Sequence, residues 1–175
     1  MLFRSVFVLM IGIYMTMLVL TLPAISEQAG NLPAFDMRPG GYSFEEAQAF
    51  LAALSPKGKA IYLGLQSQLD LIYPFLLAVF TGSSILLLVP PRWGGWGKAL
   101  ALLAIPGAAF DYLENSAVAL MLNAGPDALT PRMVEFASRM TFLKSVTTSL
   151  SLSVLLVLFF GWLWRRFRPA PQRSG

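Results

Sequence analysis

Three carboxylic acids, Asp70, Asp111 and Glu114, lie within stretches that otherwise read as apolar helices long enough to cross a membrane. An ionised Asp at the centre of a bilayer costs ~2.5–3.5 kcal/mol on insertion scales. Such residues are therefore candidates for a functional site, and they need partners. Asp111, Glu114 and Asn115 stand at i, i+3 and i+4, on one face of a helix; Gln66 and Asp70 share a face in the same way. Two cations, Arg139 and Lys144, are available from a later segment. Gln66, Asp70, Asp111, Glu114, Asn115, Arg139 and Lys144 form the expected ligand-binding set. Asp70, Asp111 and Glu114 are the catalytic candidates.

Several chemistries are excluded at the outset. The chain has no His and no Cys, which removes imidazole bases, thiolate nucleophiles and the usual metal and haem ligands. No metal and no cofactor are expected. Gly-Gly-Trp-Gly-Lys at 94–98 lacks the glycine spacing of a phosphate loop and has no Ser or Thr after Lys98. Asp70 in Leu69-Asp70-Leu71 and Asp111 in Phe110-Asp111-Tyr112 lack the Gly-rich motif of intramembrane aspartyl proteases.

The elements that must position these residues follow from hydropathy. Only 13% of the 175 residues are charged and 56% are hydrophobic, against roughly 25% charged in an ordinary soluble domain. The pattern predicts an all-α integral membrane protein: a four-transmembrane-helix bundle forming one domain over 1–168, followed by a flexible cytoplasmic tail at 169–175. The spans are expected at about 3–22, 57–89, 98–123 and 131–164. The apolar stretch of the first exceeds the ~7–15 residue core of a signal peptide, so a retained helix is expected. Segment 23–56 reads as an extracytoplasmic loop. Within it Ser43-Phe44-Glu45-Glu46 is a capping box, starting an amphipathic helix over 44–54 that buries Phe44, Ala47, Leu51 and Leu54.

Basic residues set the orientation. Arg4, Arg92, Lys98, Arg165, Arg166, Arg168 and Arg173 fall in the presumed inner segments, whereas 23–60 is nearly neutral. The positive-inside rule then places both termini in the cytoplasm of an inner membrane. The net charge of +4 is thus a topology signal and not a nucleic-acid surface. Membrane lipids, a small amphiphile or another membrane protein are the expected partners.

Depth counting at 1.5 Å per residue puts Asp70, Asp111, Glu114, Arg139 and Lys144 together in the outer third of the bundle. Three negatives would then face two positives. The excess acid would keep its proton or draw in a cation, with Asp111, the deepest, as first choice. Three functional readings follow: a polar cluster binding a lipid, small amphiphile or cation; a hydrolase, isomerase or transferase with Asp70 and Glu114 as acid and base; or an accessory subunit held together by a structural ion-pair network.

Overall fold

The computed structural model describes residues 2–167, and among these it is helical with no strand. Three helices are long and apolar enough to cross a membrane: α1 (Phe3–Glu27), α3 (Pro56–Leu88) and α6 (Pro131–Phe167). The amphipathic α2 (Phe44–Ala53) lies between the first two. A short α4 (Trp96–Ala101) leads into α5 (Ala104–Ala124). The expected tail, with Arg168 and Arg173, lies outside the described residues.

The distribution of side chains is that of a protein in lipid. Large apolar residues such as Leu71, Leu87, Leu120 and Val157 face outward, while Thr21, Gln66, Asp70, Thr81, Asp111, Glu114, Thr141 and Ser151 are buried. Inside a membrane the burial of apolar surface does not hold helices together. Close packing and interhelical hydrogen bonds do. The most extensive packing is α5 on α6, followed by α3 on α5. Gly107 permits the first, since a Cβ there would lie 2.5 Å from Thr148 Oγ1.

Several helix boundaries differ from expectation. α1 continues through Pro23 to Glu27, because Pro in the first turn of its last α segment gives up an N–H that needs no partner in the α ladder there. It contains a π turn at Met17–Thr21, and α3 contains another at Tyr62–Gln66. The break before α5 falls at Leu102–Leu103. Pro106 explains it: its ring conflicts with the carbonyl four residues earlier, and the ladder tightens there to a bond from Ile105 N–H to Leu102 O. Pro74 likewise leaves the Asp70 carbonyl without its usual donor. Asn115 Nδ2 supplies one at 3.4 Å, and Tyr112 OH donates to the neighbouring Leu71 carbonyl at 2.9 Å.

One end of the bundle is closed by residues 28–55, here called the cap. Ser43 and Glu46 form the expected capping box, with reciprocal hydrogen bonds of 3.2 and 2.7 Å. The buried face of α2 is Ala47, Phe50 and Leu51; Phe44 and Leu54 are half-buried. Phe50 and Phe35 are fully buried and pack with ring centroids 4.8 Å apart, with Tyr42 and Tyr62 around them. At Gly41, φ is +87° and a Cβ would lie 2.6 Å from Ser138 Oγ, so only glycine brings the cap this close to α6. Ser138 Oγ accepts from the next N–H, that of Tyr42, at 2.8 Å.

Candidate functional site

Beneath the cap, one cation gathers acids from two other segments. Lys144 Nζ lies 2.7 Å from Glu114 Oε2, 3.0 Å from Asp111 Oδ1 and 3.8 Å from Asp36 Oδ1. The lysine comes from α6, Asp111 and Glu114 from α5, and Asp36 from a single 3-10 turn of the cap, Phe35–Met37. That turn is anchored by burial of Phe35, which leaves the next side chain pointing into the bundle. Tyr62 OH donates to the other Asp36 oxygen at 2.6 Å. Thr141, one turn from Lys144 on α6, donates to Glu114 Oε1 at 2.6 Å.

A second chain of bonds runs through α3. Gln66 Nε2 donates to both oxygens of Asp70, at 3.0 Å each, and Thr21 Oγ1 donates to Gln66 Oε1. Thr21 and Gln66 end their π turns, and the two turns pack against each other. A π turn inserts an extra residue and commonly marks a functional position. Asn115 joins the two chains, donating to Asp111 Oδ1 at 3.1 Å as well as to the Asp70 carbonyl.

Six of the seven expected residues therefore meet: Gln66, Asp70, Asp111, Glu114, Asn115 and Lys144. Arg139 does not. It is exposed, makes no ion pair within 4 Å among the described residues, and lines a cleft of about 510 Å³ between the cap and α6 with Tyr42, Glu135 and Phe142. Asp36, Thr21 and Thr141 enter in addition. Asp36 belongs to an irregular loop, where no helical period reports direction.

The charge balance changes accordingly. Three carboxyls, Asp36, Asp111 and Glu114, stand within 4 Å of one ammonium, and a fourth, Asp70, is held by Gln66. Three of these carboxyls are deeply buried, Glu114 at 0%, Asp70 at 5% and Asp111 at 6% exposed, and Asp36 is half-buried. No group of three acidic side chains among the described residues is arranged to hold a metal ion; Lys144 already bridges the acids of α5. Tyr42 closes the site from the cap side, and burial of its hydroxyl pushes its ionisation above the ordinary tyrosine range.

Space around the cluster is small. One void touching it, between Tyr62, Asp70, Asn115 and Leu122, measures about 20 Å³, and another, below Asp111, about 10 Å³. Of the aromatic residues near the acids in sequence, Tyr62 reaches the cluster, while Tyr73 stacks on Tyr14 at 5.7 Å and Phe75 is exposed. Comparison of the chain with protein-family models, with curated proteins and with solved structures finds no match.

Proposed function

We propose that the protein crosses an inner membrane four times and that its enclosed cluster binds protons. α1, α3, α4 with α5, and α6 are the crossings. The cap lies outside and both termini are cytoplasmic. Arg4, Arg92, Lys98, Arg165 and Arg166 then lie at the inner side, in accord with the positive-inside rule. Arg165 Nη2 donates to the Leu88 carbonyl at 3.3 Å, which supports a common level for the ends of α3 and α6.

The observation that carries the functional reading is a set of four carboxyls, three of them ion-paired to one ammonium and Asp70 hydrogen-bonded to Gln66, with only water-sized space beside them. A lipid headgroup or amphiphile does not fit voids of about 10–20 Å³, and a paired-carboxylate enzyme needs substrate-sized space at its acids. A proton needs none. Several negative charges in excess of the available cations are costly in a low dielectric, and protons shared among the carboxyls relieve that cost.

Infrared difference spectroscopy of the protein in lipid tests this reading. The expected result is a carboxylic-acid carbonyl band that changes with external pH and is lost or shifted in Asp70→Asn, Asp111→Asn or Glu114→Gln. Absence of any such band, together with raised thermal stability in all three isosteres, overturns it in favour of a structural ion-pair network.

A further inference from the structure

Below Asp111 the three longest-packed helices enclose the void of about 10 Å³, lined on its polar side by Thr81 of α3, Asp111 of α5, and Thr148 and Ser151 of α6. Thr81 is 1% exposed, and its Oγ1 has no hydrogen-bond partner. A hydroxyl so placed is unfavourable by about 1–3 kcal/mol, and the surrounding lipid has no water to offer it. Asp111 uses Oδ1 for Lys144 and Asn115, and its Oδ2 has no hydrogen bond among the described residues. Ser151 spends its proton on the Thr148 carbonyl at 2.9 Å, so its oxygen is free to accept.

The lining thus supplies two hydroxyl donors, Thr81 and Thr148, and two acceptors, Asp111 and Ser151. That is the complement of one water, which takes about three such bonds and needs roughly 10–15 Å³. Gly107 keeps the space open. A Cβ at that position would lie 2.5 Å from Thr148 Oγ1 and force this hydroxyl to move.

We propose that this void is a binding site for a single water molecule, held by Thr81, Thr148, Asp111 and Ser151. The site does not depend on proton binding by the acids above it. It solvates the side of Asp111 that faces away from Lys144.

The test is magnetisation transfer from water to Thr81 in solid-state NMR of the lipid-embedded protein, combined with thermal unfolding. Transfer to Thr81 is expected in the wild type and lost in Gly107→Ala. Thr81→Val keeps the shape of the side chain. It lowers the unfolding midpoint by about 2–4 °C if a hydrated partner is removed. Absence of transfer in the wild type overturns the proposal, and so does a raised midpoint in Thr81→Val, the result for a dry void relieved of an orphaned hydroxyl. Should Gly107→Ala not fold, these two measurements decide alone.

Discussion

At the capped end, four acids and one lysine lie beneath the cap that Phe35 and Phe50 anchor, and α1, α3, α5, α6 and the 3-10 turn each take part in a hydrogen bond there. Toward the other end, α1, α3 and α6 line an apolar groove of about 790 Å³ between Phe3, Phe80, Leu87, Leu152 and Phe159. The hydroxyls there, Ser84 on α3 and Ser149 and Ser153 on α6, have no acid lining the groove with them. The same helices thus form both regions, and the presence of α5 separates them. Where α5 packs against α6, small residues bring backbones together and polar groups find partners; where it is absent, the groove is lined mostly by apolar side chains. Among the described residues, the buried carboxyls Asp70, Asp111 and Glu114 all belong to the first region.

Lys144→Met is the strongest way to break this contrast. It leaves Asp111 and Glu114 buried without a counter-charge, and a loss of about 3–5 kcal/mol is expected, measured by denaturant unfolding in mixed micelles. Gln66→Leu comes next. It removes the donor to both Asp70 oxygens and the acceptor of Thr21, for about 1–3 kcal/mol on the same measurement. Ser43→Ala, which opens the capping box of α2, costs about 1 kcal/mol and shows first as faster proteolysis of the cap.

The Tyr42 hydroxyl gives a pH signature to the capped end. Its ionisation is raised by burial in the fold, so its contribution to stability is complete below about pH 10, the unfolded value, and is lost as pH rises beyond it. Tyr42→Phe should flatten the alkaline fall of the melting temperature. Smallest of all is Ser153→Ala in the groove, expected within about 0.5 kcal/mol of the wild type. A larger effect there than for Gln66→Leu would reverse the comparison.

Much of the site was legible because helices report direction. Asp111, Glu114 and Asn115 follow the 3.6-residue period, and Thr141 and Lys144, one turn apart on α6, both bond to Glu114. Arg139 shows the limit of depth counting. It has the right height, but five residues from Lys144 amount to about 140° of rotation, enough to point it into the cleft beside the cap. Asp36 was hidden in an irregular loop, where the fixing signal is the burial of Phe35, a tertiary fact. Thr21 was hidden by a local change of helical period. The packed helical architecture was legible from composition; the aromatic core of the cap, centred on Phe35 and Phe50, depended on contacts between distant segments.

The paired π turns at Met17–Thr21 and Tyr62–Gln66 have a consequence for how this chain can vary in length. Elsewhere in α1 or α3, removing one residue swings everything beyond it by about 100° and turns the inward residues toward lipid. A π turn already holds a surplus residue. One deletion there lets the coil close as ordinary α-helix while both flanks keep their facing. What such a deletion would forfeit is the bond between Thr21 and Gln66, and with it the outer support of Asp70.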